Sequence, residues 1–246
     1  MSEKLYGSEF HASRDRDTRY AAMRILNILY EKFPNLNRVI DVGCGVGTFL
    51  NVAKELGALY IKGIDGVWVN PDQLVIEANS FEAIDLSAPL PPLLNAKKYD
   101  LAICLEVAEH LPQDKASSFV HWLTSLAPVI LFSAAIPGQG GIGHKNEAWL
   151  SYWVNIFKQE GFEPLDIIRS QIWYDPAIYF WYRQNTIVFI AATDCKFPQE
   201  NLSILDIVHP DLYNSKLSAR KFKSLSFANL VRVLNFPLSF LQSLIR

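Results

Sequence analysis

The sequence predicts an α/β fold with a mainly parallel β-sheet. Short apolar segments rich in β-branched residues alternate along the chain with segments whose apolar residues recur at helical spacing. Half of the 246 residues are hydrophobic and 20% are charged, which is typical of a globular protein and excludes a disordered or fibrous one. In such a sheet, ligands bind beyond the carboxyl ends of the strands.

The amino-terminal half begins with a helix and continues into alternating strands and helices. Apolar residues at helical spacing precede Pro34, and a second helical pattern stops at Gly57, a residue that commonly ends helices. We predict helices over residues 18–33 and 49–56, and strands over residues 38–42, 59–64 and 81–86.

The carboxyl-terminal half continues the alternation. The apolar run after Asp100 is continuous, as expected of a strand buried on both faces. We predict strands over residues 99–105, 129–135, 167–172 and 187–192, and helices over residues 115–126 and 147–159.

The near-neutral net charge of −2 hides an uneven distribution. Residues 215–246 hold six basic residues and no acidic one, which leaves a charge of −8 on residues 1–214. An acidic body of this kind disfavours nucleic acid as a partner. The basic, apolar tail could dock on a membrane surface, on a second subunit or on its own domain.

Targeting signals and cysteine content point to the cytoplasm. The amino terminus is polar, and the longest apolar stretch, residues 126–136, is too short to cross a bilayer. Three widely spaced cysteines favour a reducing compartment over a secreted, disulfide-linked protein. We expect a cytoplasmic protein, with peripheral membrane association through the tail as an open alternative.

The strongest motif is the glycine loop that follows the first strand. The segment 39–49 reads VIDVGCGVGTF, with Asp41 two residues before Gly43 and glycines again at 45 and 47. Glycine allows a tight turn and close approach of a ligand, and the helix that follows offers free N–H groups. The spacing is G-x-G-x-G, whereas dinucleotide loops use G-x-G-x-x-G and phosphate loops end in G-K-[ST]. The motif resembles that of Rossmann-like methyltransferases that use S-adenosylmethionine.

This resemblance implies a Rossmann-like methyltransferase fold with a mainly parallel seven-stranded sheet and helices on both faces. It places a carboxylate that binds ribose after the second strand and a residue pair that contacts adenine after the third. The implied cofactor-binding residues are Asp41, Gly43, Cys44, Gly45, Gly47, Asp65, Gly66, Asp85, Leu86 and Glu106. The implied organisation is an amino-terminal cap and helix (1–37), a cofactor-binding domain (38–195) and a basic amphipathic tail (196–246).

A second motif, Glu-x-x-Glu-His, follows the fourth predicted strand. On a helical turn Glu106, Glu109 and His110 share one face, beside the expected methyl donor. The motif resembles metal-dependent O-methyltransferases of small RNAs and of ubiquinone synthesis, and also a broad set of metal-free enzymes. In the RNA enzymes a further histidine completes the site, and His144 stands in the matching loop. We predict Glu106, His110 and His144 as catalytic residues, and a divalent metal on Glu106, Glu109, His110 and His144 is the less favoured alternative.

The loop after the fifth strand has four glycines within residues 138–143. We expect a mobile lid there, carrying His144 as an alternative general base. The segment PGQGGIGHKNEAWLSYW, together with FWYRQN at 180–185, resembles bacterial methyltransferases from sugar and glycan gene clusters. The predicted reaction is therefore O-methylation of a hydroxyl on a sugar, a glycan or another small-molecule intermediate.

Three other functions stay open. Glu-x-x-Glu-His also suits a metal-dependent RNA ribose 2′-O-methyltransferase, which the absence of a basic stripe disfavours. The second is a non-catalytic binding module, which would have the methyltransferase-like fold but would not transfer a methyl group. An NAD-dependent oxidoreductase is disfavoured by the glycine spacing.

Overall fold

A computed structural model describes residues 8–90, 99–193 and 205–218, with side chains from residue 18 onward. Within these residues one sheet of seven strands forms, in the spatial order β3-β2-β1-β4-β5-β7-β6. The strands are β1 (Arg38–Val42), β2 (Tyr60–Asp65), β3 (Phe81–Ala83), β4 (Leu101–Leu105), β5 (Val129–Ser133), β6 (Phe162–Leu165) and β7 (Ile187–Ala191).

Strand direction places the ends of β1 to β5 at one edge of the sheet. These five strands pair in parallel, and β7 alone runs antiparallel, between β5 and β6. The order reverses between β1 and β4, and the segments that follow both strands lie at the crevice that this reversal creates. The predicted α/β class with a mainly parallel sheet is confirmed.

Helices cover both faces of the sheet. Residues of α1 and α2 pack with alternate strand residues such as Leu101 and Ile103. Residues of α3 and α4 pack with the intervening ones, such as Ala102 and Cys104, as the two-residue period of a strand requires. The helices are α1 (Ser8–Lys32), α2 (Thr48–Glu55), α3 (Ala116–Leu126), α4 (Leu150–Gln159), α5 (Arg169–Ile172) and α6 (Phe180–Asn185).

The predicted strand over residues 167–172 is wrong. Residues 169–172 form α5, and the strand at that edge is β6, which contains Pro164. Ile168, Arg169 and Ile172 are buried, whereas Ser170 is exposed, so burial follows a helical repeat and not the alternation of a strand. Proline lacks an N–H and is tolerated here because β6 is an edge strand that pairs only with β7.

Other element boundaries differ in smaller ways. The first helix begins at Ser8 rather than at residue 18, β3 ends at Ala83, and α4 begins at Leu150 rather than at Glu147. Residues 208–218 belong to a second compact unit, in which 210–218 are helical. Residues 196–204 and 219–246 of the predicted tail lie outside the described residues, and docking of the tail stays a prediction. No helix among the described residues has the length and apolar character to cross a membrane.

An aromatic cluster supplies a stability test for this fold. Phe157 of α4 is fully buried, and its ring centroid lies 3.8 Å from that of Phe189 in β7 and 5.2 Å from that of Phe132 in β5. We expect Phe157→Ala to lower the free energy of unfolding by about 3–5 kcal/mol in urea denaturation. Tyr174→Ala is the control. Because Tyr174 is 88% exposed, this substitution should change the free energy of unfolding by no more than about 0.5 kcal/mol. Similar losses for the two variants would contradict the packing described.

Candidate cofactor and acceptor site

The glycine loop turns back on itself between β1 and α2. Gly43, Gly45 and Gly47 all have positive φ angles, of 80°, 54° and 91°. A Cβ atom at Gly43 would lie 2.3 Å from the Val107 side chain, and one at Gly47 would lie 2.8 Å from that of Ile76. At Gly45 a Cβ would meet nothing within 4 Å. Gly45 therefore borders open space that a ligand could occupy.

Asp65, at the end of β2, ties this loop to the neighbouring strand. Its Oδ2 accepts a hydrogen bond from the Gly45 N–H (2.8 Å), and its Oδ1 accepts one from the Gly66 N–H (2.6 Å). Burial raises the pKa of Asp65, against the lowering effect of these donors. Asp41 is 4% exposed, and burial and the Asp65 charge raise its pKa well above the ordinary value. The two predicted carboxylates therefore interact, and they favour ligand groups that donate hydrogen bonds.

The third predicted acid has a different environment. Asp85 is exposed, and its Oδ1 accepts hydrogen bonds from the Ser87 N–H (2.9 Å) and hydroxyl (2.7 Å), which lower its pKa. Leu86 is partly buried and lines a cavity of about 410 Å³ that also involves Leu111, Phe119 and Trp122. No glycine-loop residue lines this cavity, so the adenine contacts predicted for Asp85 and Leu86 stay a prediction.

Glu106, directly after β4, adopts a strained backbone conformation. Its φ of 55° lies in the left-handed region, which costs a non-glycine residue about 1–2 kcal/mol. The Ser133 carbonyl and hydroxyl oxygens both accept from the Glu106 N–H, each at 3.0 Å, and hold it in place. The Glu106 carboxylate accepts hydrogen bonds from two side-chain amides. Gln139 donates to Oε2 (2.8 Å), and Asn185 donates to Oε1 (3.0 Å).

These amides form a network that the sequence analysis did not assign. Asn185 also donates to Gln139 Oε1 (2.9 Å), and Gln184 donates to Asn185 Oδ1 (2.8 Å). Burial raises the pKa of Glu106, while hydrogen bonds from Asn185, Ser133 and Gln139 oppose that effect. The available signal was a pair of polar amides immediately before the apolar strand β7. The quoted FWYRQN segment contains both, but their partner was visible only in the fold.

Glu109, His110 and His144 converge beside this network. Each offers one ligand atom, and these atoms lie within 4.8 Å of one another. Glu109 is fully buried and neither of its carboxylate oxygens has a hydrogen-bond partner in the structure. The ring centroids of His110 and His144 lie 4.9 Å apart in an edge-to-face arrangement. One carboxylate and two imidazoles suit a divalent cation such as Zn²⁺. Glu106, the fourth predicted ligand, is instead bound to the amides.

His144 is positioned by a carboxylate that also fixes its loop. Its Nδ1 lies 2.9 Å from Glu147 Oε1. The Glu147 carboxylate also accepts from the N–H groups of Gly138 (2.8 Å) and Gly140 (2.7 Å). Burial raises the pKa of Glu147, but the hydrogen bonds from His144, Gly138 and Gly140 outweigh burial, and its pKa is lowered. An ionised Glu147 therefore orients the His144 ring, and Glu147 is a further functional candidate.

The two halves of the site meet at the crevice between β1 and β4. Val107, between Glu106 and the 3₁₀ turn Ala108–His110, packs directly on Gly43 of the glycine loop. The segment that carries Glu106, Glu109 and His110 therefore starts beside the glycine loop. Together with strand order β3-β2-β1-β4-β5-β7-β6, this arrangement defines a Rossmann-like methyltransferase.

Comparison with known families agrees with that class. A family model described as a methyltransferase domain matches residues 14–165, which is more than half of the chain. The protein belongs to this family, and the predicted enzyme class is confirmed. S-adenosylmethionine, the predicted cofactor, is the methyl donor of the class.

Individual relatives match over shorter stretches. The ubiquinone biosynthesis O-methyltransferase of Rickettsia prowazekii is 36% identical over 76 residues, 30% of each chain. The chloroplastic magnesium protoporphyrin IX methyltransferase of Arabidopsis thaliana is 32% identical over 97 residues, 36% of this chain and 29% of that protein. These matches span less than a third of the relatives' length. A crystal structure of an S-adenosylmethionine-dependent methyltransferase from Archaeoglobus fulgidus has the same fold (TM-score 0.52, 18% identity, 75% of this chain and 99% of that one).

Glu109 predicts a pH dependence of stability. Burial, with the nearby Glu106 adding to it, raises the pKa of Glu109 far above its ordinary value of 4.5, so the folded chain retains a proton that the unfolded chain releases. Wild-type stability should therefore fall as the pH rises above about 4.5 toward the raised pKa. We expect Glu109→Gln, which keeps a neutral side chain of similar shape, to remove this part of the dependence in urea denaturation between pH 5 and about 8. Glu31→Gln, at an exposed helix position, is the control and should follow the wild type. A Glu109→Gln profile parallel to that of the wild type would contradict the burial of a protonated carboxyl group.

Proposed function

We propose that this protein transfers the methyl group of S-adenosylmethionine to a hydroxyl of a small-molecule acceptor, with a sugar or glycan intermediate as the favoured class. The observation that carries the proposal is the pairing of His144 with Glu147, 2.9 Å apart, on the acceptor side of a glycine loop. Resemblance of residues 137–153 to sugar-cluster methyltransferases supports the acceptor class. The names of the two relatives above refer to small molecules, ubiquinone and magnesium protoporphyrin IX, which agrees with a small acceptor.

The residues present fit the cofactor. Gly45 borders open space, and the Asp65 carboxylate beside it offers acceptor oxygens to the two ribose hydroxyls. Asp41 lies buried beneath the loop, where burial and the Asp65 charge raise its pKa. When bound, S-adenosylmethionine supplies an electrophilic methyl group on a positively charged sulfur.

The chain's own residues must position the acceptor and remove its proton. Glu147 accepts from the Nδ1–H of His144 and thereby fixes the tautomer whose Nε2 is a base. The bound donor would supply its methyl group to the acceptor oxygen, and His144 Nε2 would take the proton that the hydroxyl releases. Glu106, held by Gln139 and Asn185, presents a carboxyl group in a fixed orientation to the reacting groups.

A second candidate uses a divalent cation at Glu109, His110 and His144. The partnerless oxygens of Glu109 favour it, because a buried carboxylate without a donor suits a cation. The cation would lower the pKa of the acceptor hydroxyl. Glu147 would then act as the outer partner that orients a histidine ligand, an arrangement common at metal sites. In this version His144 binds metal and cannot serve as the base.

Gly45 tests the cofactor site. We expect Gly45→Ala to fold with a loss of about 1–2 kcal/mol, since its Cβ meets no atom but its φ of 54° is unfavourable for alanine. S-adenosylhomocysteine binding in isothermal titration should weaken about tenfold or more, because the added methyl group intrudes on the ligand. Gly57→Ala also puts alanine at a positive φ (109°) in open space, but Gly57 has no place in the site, so the affinity of this variant should equal that of the wild type. Equal affinities for both variants would place the cofactor elsewhere.

His144 tests the acceptor chemistry. With a panel of hexoses and catechols as acceptors, we expect the wild type to release S-adenosylhomocysteine, and His144→Gln to be slower by about 10²–10⁴-fold at unchanged cofactor affinity. The same assay after exhaustive chelation separates the two candidates. Unchanged activity supports His144 as the base, whereas loss of activity that Mg²⁺, Mn²⁺ or Zn²⁺ restores supports the metal. A fully active His144→Gln variant would contradict both.

A further inference from the structure

The loop after β5 contains one glycine that its own backbone does not require. Gly138, Gly140 and Gly143 have φ angles of 82°, 72° and 79°, in the left-handed region that favours glycine. Gly141, in the middle of the same loop, lies outside that region, so its φ angle alone does not call for glycine. The reason for a glycine at position 141 lies in its surroundings.

The space beside Gly141 is filled by the imidazole of His144. A Cβ atom on Gly141 would lie 2.1 Å from Nε2, 2.4 Å from Cε1 and 2.8 Å from Cδ2 of that ring. Because Cε1 is almost as close as Nε2, this position lies over the face of the ring and not on the lone-pair axis of Nε2. Gly141 therefore supports one face of the imidazole and does not cover the Nε2 lone pair.

Two further contacts hold the same ring. Glu147 Oε1 lies 2.9 Å from Nδ1 of His144, and the ring of His110 meets that of His144 edge to face, with the centroids 4.9 Å apart. Only 12% of the His144 side chain is exposed, so the ring is largely enclosed by its neighbours. These contacts, together with Gly141, fix the direction in which Nε2 points.

The backbone on both sides of Gly141 is held in place, so the loop resists an added side chain. The Gly140 N–H donates to Glu147 Oε1 (2.7 Å), and the Lys145 N–H donates to the Glu109 carbonyl (2.8 Å). Atoms in ordinary contact lie about 3.5 Å apart, so a methyl group at position 141 would displace the imidazole by about 1 Å or more.

We propose that Gly141 is a positioning residue for His144, because the absence of a side chain at position 141 lets the imidazole lie where Nε2 can take the proton of the acceptor. This inference rests on the proposed function, in which His144 is the base. Proton transfer needs a heavy-atom distance of about 2.6–3.2 Å, which leaves little room for displacement of the ring. Misplacement by about 1 Å can lower a rate about 10²-fold.

Steady-state kinetics of Gly141→Ala test this role. We expect kcat to fall about 10- to 100-fold, while S-adenosylhomocysteine affinity in isothermal titration stays at the wild-type value, because the methyl group displaces the base and no cofactor-binding residue. Gly161→Ala is the control and should keep the wild-type kcat, because a Cβ at Gly161 meets nothing within 4 Å and Gly161 lies in the turn between α4 and β6. A Gly141→Ala variant with the wild-type kcat would overturn the role of Gly141 and leave the proposed function intact.

A second measurement separates positioning of the ring from a general effect on the loop. In urea denaturation, Gly141→Ala should lower the unfolding midpoint of the wild type but change that of His144→Ala little, because no ring is left to displace. Equal losses in the two backgrounds would overturn the proposal, since the effect would then come from the loop backbone. A wild type that does not bind S-adenosylhomocysteine would overturn the proposed function, and the urea measurement would still decide whether Gly141 holds the His144 ring.

Discussion

The hydrogen bond from the Gly45 N–H to Asp65 is the constraint on which the site depends. The glycine loop alone could take many conformations, because each of its glycines has wide backbone freedom. The bond, 2.8 Å long, fixes the loop to the end of the neighbouring strand. The packing of Val107 on Gly43 then sets the distance between this loop and the segment after β4. The proposed cofactor-binding loop and the segment that carries the proposed acceptor residues are thereby held in one geometry.

Much of the cofactor side could be predicted from the sequence, because its signals are local. The order strand, three glycines, helix is readable from residues 38–56, and the acid at position 65 follows its own strand. Asp65 raises the pKa of Asp41 in the structure, and Asp41 pairs with Gly63, two residues before Asp65 in the neighbouring parallel strand.

The acceptor side could be predicted only in part, because it is assembled from distant segments. Glu109, His110 and His144 were grouped by motif resemblance, and the structure brings them within 4.8 Å. The partners of Glu106 come from residues 139 and 185, far along the chain from each other. The edge strand was misplaced for a comparable reason. Pro164 interrupts the sequence pattern of a strand at β6. The strand is explained by its pairing with β7, which the local sequence does not show.

The tethering of the loop after β5 changes how an acceptor can enter. The sequence predicted a mobile lid over residues 138–143, yet Glu147 accepts from both Gly138 and Gly140, and the Glu109 carbonyl accepts from Lys145 and Asn146. Both ends of the loop are thus fastened, and the segment between the tethers is short, with Ile142 59% exposed at its tip. A loop held at both ends can move only in its short free segment. If acceptors enter past this loop, we expect its short free segment to select them by width before they reach His144, the proposed base.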